Sequence, residues 1–509
     1  MLIAGGLFLS CGEEDGRQKD TLDMASLADL QVSEYALNTQ NVKECLEHIM
    51  MSDHDSTRAD QRLRSYYREG GELVWVDRLG ADHRADTLLN YLQQHLRAHG
   101  LADDAFALRQ IGSRIAAVRA CDRDQASYCQ QVAQAEYLLS KAYLRYAMGQ
   151  RYGFSNPKAL FNYHDIREQD TSRNIVVYNR LFDIEVEQPA PRYAYEALRR
   201  VLADSVGEYL RAVEPRDSVY DRLQAELCKG PDAARRNLLL VNMERRRWRM
   251  KRPDARSRYV WVNAAAQHLW AVAPDSVFSM RVVCGARRTK TPLLISSIGL
   301  VQINPEWIIP MSIIRNEVSR HAGDSAWFAR HNYYITDRSS GKQVSTKSVG
   351  ASQLCGGRYR VSQRGGPGNS LGRVVFRFPN DFSVYLHDTS NPGAFGQSSR
   401  ALSHGCVRVQ RPFDLARFML TDPDEWLLDR LRISMGMQPE SEQGIDYMRQ
   451  HADETQPHKL VSSLNVNPRV PVFIDYYTFF PSPLTGGLET WADPYGYDPI
   501  VLKAIKPFL

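Results

Sequence analysis

The chain has 509 residues, enough for roughly two to four domains and a large buried core. Hydrophobic residues make up 43% and charged residues 24%, which is typical of a globular protein. The net charge of +5 is small for this length, so we expect a mild preference for acidic surfaces and exclude a dedicated nucleic-acid binder.

The first residues carry the only membrane-directed signal. An apolar run from Leu2 to Leu9 ends in Ser10-Cys11, which resembles a bacterial lipoprotein signal that is cleaved before Cys11 and lipidated on its sulfur. No Lys or Arg precedes this run, so a frayed terminus with a chance cysteine is the alternative. We expect residues 1–24 to form a signal and tether. No later segment has the about 20 apolar residues that span a bilayer.

Residues 25–236 have a mainly helical pattern. The segment from Asp86 to Leu96 has apolar positions at helical spacing and ends before Gly100, a stop signal. Residues 131–146 and 193–210 show a similar periodicity. This pattern predicts a helical scaffold domain. A dense basic run then follows from Arg245 to Arg252, and we interpret it as a solvated or ion-paired face.

The pattern changes near Tyr259, where short runs rich in β-branched and aromatic residues begin. These runs predict strands at residues 259–264, 279–285, 374–378, 382–387 and 471–480. Residues 412–420 predict a helix with Pro412 near its start, and residues 439–458 predict a polar connection. We therefore expect an α+β protein, with a helical N-terminal domain followed by a mostly β domain.

The candidate site combines His387, at the end of a predicted strand, with the segment Ser403-His404-Gly405-Cys406-Val407-Arg408. The loop between them contains Gly and Pro, so it can bend back and bring Cys406 beside His387. Acyl transfer needs such a pair, because a free thiol with a pKa near about 8.5 is only a few per cent thiolate at neutral pH. A nearby imidazole takes the proton and stabilises the thiolate as an ion pair. Asp388 or a backbone carbonyl would orient the base.

The residues around Cys406 suggest further roles. Gly405 lets backbone N–H groups approach a reacting carbonyl, so those of Gly405, Cys406 or Val407 could hold an oxyanion. His404 could join the oxyanion site or shape the pocket. Ser403 and Arg408 are predicted to contact substrate, because a guanidinium can bind a carboxylate bidentately.

Two other interpretations compete with catalysis when only residue types are considered. His387, His404 and Cys406 could bind a metal ion, although their spacing lacks a standard ligand pattern. The same residues could also be buried structural groups.

Eight cysteines are present, and Cys11 and Cys406 have the roles above. Of the other six, Cys121 and Cys129 are the closest in sequence and the best candidates for a disulfide in an exported protein, although spacing does not determine connectivity.

The histidine followed by Ser-His-Gly-Cys, a hydrophobic residue and Arg resembles the L,D-transpeptidase family, whose catalytic domain is also called YkuD. The resemblance implies that Cys406 is the nucleophile, that His387 is the general base and that His404 belongs to the motif around the oxyanion site. It also implies a reaction without metal or organic cofactor, and acylation of Cys406 by a carbapenem.

Further segments are similar to the large YcbB-like branch of that family. They are Tyr66–Val76, Asn304–Pro310, Leu386–Thr389 and the stretch from Pro471 to Asp498. The similarity implies a scaffold domain at 25–236, a catalytic domain at 237–437 with a capping insertion at about 310–371, and a C-terminal segment, 438–509, that returns to the catalytic domain. Capping would exclude water from an acyl-enzyme and favour transfer over hydrolysis.

One departure from the branch concerns substrate recruitment. Many members carry a small peptidoglycan-binding domain before the segment that begins here at Asn242, and this chain has no room for it after Leu227. Recruitment would then depend on the scaffold, the capping insertion or a partner.

The resemblance implies that a tetrapeptide stem of peptidoglycan loses its terminal D-Ala and is joined to a neighbouring stem by a 3→3 cross-link. The alternatives are a carboxypeptidase or a lipoprotein-linking or -unlinking enzyme of the same fold, and a non-catalytic peptidoglycan-binding scaffold. We expect a periplasmic protein, anchored to a membrane by lipid on Cys11. Its partners would be donor and acceptor stem peptides and, as a further candidate, other cell-wall enzymes.

Overall fold

The computed structural model describes residues 39–77, 80–121, 127–170, 175–251, 253–254, 256–453 and 458–509. The predicted lipid site at Cys11 and the tether lie outside these residues. Within them, no helix is long and apolar enough to cross a membrane. Two compact units are formed. We call the described residues up to 154, with 188–216 and 505–509, the helical unit, and residues 155–187 with 217–504 the sheet unit.

The helices are numbered in chain order. They are α1 (Thr39–Ser52), α2 (Arg58–Arg68), α3 (His83–His95), α4 (Leu108–Ala120), α5 (Tyr128–Tyr152), α6 (Pro157–Asn162), α7 (Tyr193–Leu202), α8 (Val206–Val213), α9 (Ser218–Cys228), α10 (Ala233–Arg247), α11 (Met311–Asn316), α12 (Ser325–Arg330), α13 (Ala351–Cys355), α14 (Pro412–Met419), α15 (Glu425–Ser434), α16 (Glu442–Gln450) and α17 (Tyr497–Ile505). Since α10 begins four residues after Lys229, no further domain lies between α9 and α10.

The strands are numbered in the same way. They are β1 (Val76–Asp77), β2 (Gly80–Ala81), β3 (Ile166–Asp170), β4 (Ile175–Tyr178), β5 (Phe182–Asp183), β6 (Tyr259–Asn263), β7 (His268–Ala273), β8 (Ser276–Gly285), β9 (Leu293–Ile303), β10 (Trp307–Ile308), β11 (Tyr333–Asp337), β12 (Gln343–Val344), β13 (Tyr359–Gln363), β14 (Val374–Arg377), β15 (Leu386–His387), β16 (Ala401–Ser403), β17 (Val407–Val409), β18 (Ser463–Asp475), β19 (Phe479–Pro481) and β20 (Leu488–Thr490).

The helical unit is built around α5, which is buried along most of its length. Helices α1, α2, α3, α4, α7 and α8 all pack against it. The start of α2 shows why this sequence begins a helix, because Thr57 and Asp60 form a reciprocal capping box. One carboxylate, Glu136, is fully buried in α5 and accepts hydrogen bonds from the backbone N–H groups of Val74 and Trp75. Burial raises its pKa to about 7.

The sheet unit contains one large sheet, whose strands run in the order β14-β15-β17-β8-β7-β6-β18-β9-β5. Because β14 also pairs with β9, the strands from β14 to β9 close on themselves. Apolar residues that alternate along β6 and β7, such as Val260, Val262, Leu269 and Ala271, lie in its core. The closed sheet places β15 and β17 side by side, which determines the geometry of the candidate site.

A smaller four-stranded sheet, in the order β10-β13-β11-β12, lies within residues 307–363, where the resemblance places a capping insertion. Helices α11, α12 and α13 pack on it around a separate core that includes Ile314, Phe328, Ile335 and Val361.

The predicted fold class is confirmed, since a helical N-terminal region precedes a mostly β region. Two segments differ from their predicted form because a residue takes a positive φ. Asp204 (φ 56°) ends α7 and divides the predicted helix at 193–210, and Ser383 (φ 55°) restricts the strand predicted at 382–387 to β15. The predicted polar connection at 439–458 contains α16, which Ser441 caps.

The basic run forms ion pairs but is not a solvated face, because the side chains of Arg245, Arg246 and Arg247 are buried in α10. Arg245 pairs with Asp498 at 2.7 Å, and Arg246 pairs with Asp217. Removal of an acidic partner would therefore leave an uncompensated charge in the interior of the sheet unit.

The suggested disulfide between Cys121 and Cys129 is absent. No disulfide joins these two residues in the described part of the chain, and Cys121 has its sulfur 3.9 Å from the hydroxyl oxygen of Ser127.

Candidate functional site

The pairing of β15 with β17 brings the predicted nucleophile and base together. The two strands are parallel, with Leu386 opposite Val407 and His387 opposite Arg408. The N–H of Val407 also donates to the carbonyl of Tyr385 at 3.1 Å. Cys406 directly precedes β17, so its side chain lies at the same end of the sheet as the imidazole of His387.

The imidazole of His387 is buried and neutral. Burial, followed by the positive charge of Arg408, lowers its pKa to about 3, and backbone hydrogen bonds at Asp388 and Leu371 act in the opposite direction. Its Nδ1 is buried and has no hydrogen-bond partner among the described residues. With the proton of the neutral ring on Nε2, the lone pair of Nδ1 is available as a base.

The group that orients the base is the backbone and not the carboxylate of Asp388. That carboxylate accepts a hydrogen bond of 2.8 Å from the backbone N–H of Arg373 and packs against Gly372. Burial raises the pKa of Asp388. Of the two alternatives left open by the sequence, the structure favours a backbone carbonyl as the partner of His387.

The thiol of Cys406 is half-buried and protonated in the free protein. Burial raises its pKa, while the backbone and hydroxyl of Tyr385 and then the charges of Arg408 and Arg377 act to lower it. The Sγ lies 3.9 Å from the carbonyl oxygen of Ser383. A neutral thiol beside a neutral imidazole differs from the preformed ion pair expected from the sequence, because burial penalises both charged forms.

Tyr385 is a site residue that the sequence analysis did not identify. Its side chain interacts with the sulfur of Cys406, since Tyr385 acts to lower the pKa of Cys406 and Cys406 acts to raise the pKa of Tyr385. Arg377 lies over its ring at 5.5 Å, and Gln302 accepts from Arg377 at 2.8 Å. The available signal was its position two residues before His387, which places both side chains on one side of an extended segment.

The loop that carries Cys406 is held by hydrogen bonds on both sides of Gly405. Gly405 has φ +116°, a backbone conformation that favours glycine. Its carbonyl accepts from the hydroxyl of Thr291 at 2.9 Å, and its N–H donates to the hydroxyl of Ser403 at 3.1 Å. Thr291 in turn accepts from the N–H of Gly285 at 2.8 Å, so the loop is tied to β8.

These bonds distinguish the three backbone donors proposed for an oxyanion. The N–H of Gly405 is engaged by Ser403, and that of Val407 is engaged by Tyr385. Only the N–H of Cys406 has no acceptor among the described residues. The structure therefore favours Cys406 itself as the backbone donor, beside the hydroxyl of Tyr385.

Ser403 supports the loop through its hydroxyl. Its side chain is buried, and its hydroxyl donates to the carbonyl of Cys406 at 2.5 Å while accepting from Gly405. The structure gives Ser403 this supporting role, and its contact with a substrate stays a prediction.

His404 points toward the insertion. Its Nε2 lies 3.0 Å from the carboxylate of Glu317, which follows α11, and both side chains are more than half exposed. The two histidines of the motif thus have different surroundings, since His387 is buried and His404 forms an exposed contact.

Arg408 has the environment expected of a group that binds an anion. It is half-buried, its pKa is lowered by burial, and its Nε has no hydrogen-bond partner in the described part of the chain. Its charge acts on both Cys406 and His387. A carboxylate that entered here would compensate a buried and uncompensated cation.

The structure does not support the alternative metal site at His387, His404 and Cys406. Among the described residues, the group of potential ligands close enough to hold a metal ion is His95, His99 and Glu214, in the helical unit.

Residues 257–438 match the family of the L,D-transpeptidase catalytic domain, YkuD, and residues 61–227 match the Scaffold domain. This chain carries an L,D-transpeptidase catalytic domain. The scaffold domain that precedes it makes this the YcbB-like arrangement, as the sequence resemblance predicted. All of the site residues described above lie within the matched catalytic range.

One curated relative is the protein named "Putative L,D-transpeptidase" of Haemophilus influenzae (strain ATCC 51907 / DSM 11121 / KW20 / Rd). The two chains are 29% identical over 226 residues. The match covers 44% of this chain and 41% of the relative. The L,D-transpeptidase catalytic domain is thus supported both by the family match and by this relative.

Proposed function

We propose that this protein is a cysteine-dependent L,D-transpeptidase that forms 3→3 cross-links between peptidoglycan stem peptides. The observation that supports this most directly is the arrangement of Cys406 and His387. A thiol precedes one strand, and an imidazole with an unpartnered Nδ1 ends its parallel neighbour.

In the first step, the Sγ of Cys406 attacks the carbonyl of the third residue of a tetrapeptide stem while the Nδ1 of His387 takes the thiol proton. The N–H of Cys406 and the hydroxyl of Tyr385 stabilise the oxyanion. The carbon–nitrogen bond then breaks, and the imidazolium gives its proton to the amine of the departing D-Ala. A thioester on Cys406 remains.

In the second step, the side-chain amine of a neighbouring stem attacks the thioester. His387 takes a proton from the attacking amine, an amide bond forms, and the carbon–sulfur bond breaks. The imidazolium returns the proton to the sulfur, which restores the neutral thiol and imidazole.

The proton transfer is concerted with attack in this proposal. Because burial disfavours both the thiolate and the imidazolium, the free protein has little preformed ion pair. The charges appear only when a substrate supplies a developing oxyanion. Arg408 would bind a carboxylate of the stem, and the insertion, through Glu317 beside His404, would limit the access of water to the thioester.

The experiment that tests this function is mass spectrometry of muropeptides after incubation with the purified protein. We expect tetrapeptide stems to lose D-Ala and to form 3→3-linked dimers, and Cys406→Ala to form none. Free tripeptides without dimers would instead show a carboxypeptidase. Unchanged muropeptides would indicate a non-catalytic scaffold, and a protein-linked product would indicate a lipoprotein-linking enzyme.

We further propose a periplasmic location with a lipid anchor on Cys11, which rests on the apolar run before it. Membrane fractionation and mass analysis of the mature N-terminus test this. A Cys11→Ser protein that still partitions with membranes would contradict the anchor.

A further inference from the structure

A cluster of two histidines and one glutamate lies in the helical unit, far from Cys406 in sequence. His95 is the last residue of α3, His99 ends the following 3-10 turn, and Glu214 directly follows α8. One potential ligand atom from each lies within 4.8 Å of the others. His99 is 4% exposed and Glu214 is 19% exposed, while His95 is 32% exposed and leaves one side open to solvent.

The two distances from the histidines to Glu214 are close to those between neighbouring ligands of a tetrahedral ion. The Nδ1 of His95 lies 3.2 Å from the carboxylate oxygen of Glu214, and the Nε2 of His99 lies 3.4 Å from the same oxygen. Ligands about 2.0–2.1 Å from a tetrahedral Zn²⁺ are separated by about 3.3 Å. Charge-assisted hydrogen bonds are shorter, at about 2.7–2.9 Å.

Hydrogen bonding to one oxygen does not account for the whole cluster. The hydroxyls of Tyr91 and Tyr146 already donate to that oxygen of Glu214, at 2.7 and 2.5 Å. An oxygen has two lone pairs, so it cannot accept fully from two hydroxyls and two imidazoles. The carboxylate as a whole has about four lone-pair positions, so an ion bound to this oxygen would displace one of the two hydroxyls to the second oxygen.

The tyrosines supply the support that metal sites require around their ligands. Their hydroxyls orient the carboxylate, and the ring of Tyr91 stacks on that of His95 at 4.0 Å with an interplanar angle of 6°. Tyr146 meets the ring of His99 edge-on at 6.0 Å. Such outer contacts fix the direction in which each ligand points.

We propose that His95, His99 and Glu214 bind a divalent transition-metal ion, with Zn²⁺ as the best match to an imidazole and carboxylate set. Water occupies the fourth position, on the exposed side of His95. The ion ties the end of α3 and its 3-10 turn to the end of α8, so it stabilises the fold of the helical unit. This site is independent of the proposed transpeptidase chemistry.

The test uses the full chain in a Cys406→Ala background, treated with EDTA and titrated with ZnCl₂ by calorimetry and with CoCl₂ by visible absorption. We expect one ion per chain and the d–d bands of tetrahedral Co²⁺ without a thiolate charge-transfer band. Zn²⁺ should raise the unfolding temperature. Glu214→Gln and the double variant His95→Ala/His99→Ala should each weaken binding at least tenfold.

The matched control is His83→Ala, which removes another histidine of α3. His83 pairs with Asp204 and lies outside the cluster. It should bind like the parent. Each variant is compared with its own metal-free form, so a loss of stability alone does not affect the outcome. The proposal would be overturned by the absence of saturable binding or by a thiolate charge-transfer band. It would also be overturned if Zn²⁺ raised the unfolding temperature of the cluster variants as much as that of the parent.

Discussion

Arg408 and His387 are register partners on adjacent parallel strands, and the guanidinium acts on the imidazole through this pairing. Burial is the first cause of the low pKa of His387, about 3, and the charge of Arg408 is the second. The imidazole therefore keeps its lone pair at any pH well above 3. The same cation that would bind a substrate carboxylate also keeps the base unprotonated.

The first prediction concerns the acid side of the pH profile. A histidine with an ordinary pKa would lose its activity as a base near pH 6.5. Because the pKa of His387 is lowered, we expect kcat/KM for D-Ala release to decline only at a pH well below 6.5. Arg408→Gln should move this decline to higher pH. A wild-type decline centred near pH 6.5 would contradict the assignment.

The second prediction separates the two histidines of the motif. His387→Ala removes the group behind the thiol and should lower turnover by about 10²–10⁴-fold, the usual contribution of a general base. His404→Ala removes only an exposed contact with Glu317, so its effect should be less than about tenfold. Alkylation of Cys406 against pH is the second measurement. Should His404→Ala show the larger change, the two roles are reversed.

The third prediction concerns Tyr385, which acts to lower the pKa of Cys406 and whose hydroxyl is a proposed donor to the oxyanion. Tyr385→Phe should shift alkylation of Cys406 to higher pH and lower kcat by about 10- to 100-fold. Tyr259→Phe is the control, because that half-buried tyrosine in β6 has its pKa raised by burial alone. Equal effects of the two substitutions would remove Tyr385 from the site.

The fourth prediction tests the support of the loop. Thr291→Val keeps the volume but leaves the carbonyl of Gly405 and the N–H of Gly285 without their partner, a cost of about 1–3 kcal/mol for each buried group. We expect both stability and turnover to fall. Thr478→Val removes comparable buried bonds to Asn242 and Arg245, and should reduce stability without an equal loss of turnover. Identical losses in both would show that Thr291 has no specific role at the loop.

The fifth prediction concerns acylation by a carbapenem, whose lactam carbonyl can accept the same attack. Intact mass should increase by one adduct in the wild type and not in Cys406→Ala. The other six cysteines of the described chain provide the internal control, because none of them lies in the candidate site. An adduct on Cys406→Ala would mean that another thiol is the nucleophile.

Periodicity and local motifs in the sequence determined the fold class and the candidate residues of the site. The strands at Tyr259 and Val374 and the helix at Pro412 formed as predicted, because alternation and turn residues act over a few positions. The pair of His387 and Cys406 was also evident from the motif, since one short loop joins them.

The tertiary structure alone decided which other groups reach the site and what charge they carry. Strand pairing places Thr291 and Tyr385 next to the loop of Cys406. Within that loop, the hydroxyl of Ser403 accepts a hydrogen bond from the N–H of Gly405. Likewise, Glu214 reaches His95 and His99 only because α8 packs near the end of α3. A sequence pattern reports neighbours along the chain, whereas desolvation and contacts across strands depend on how distant segments pack.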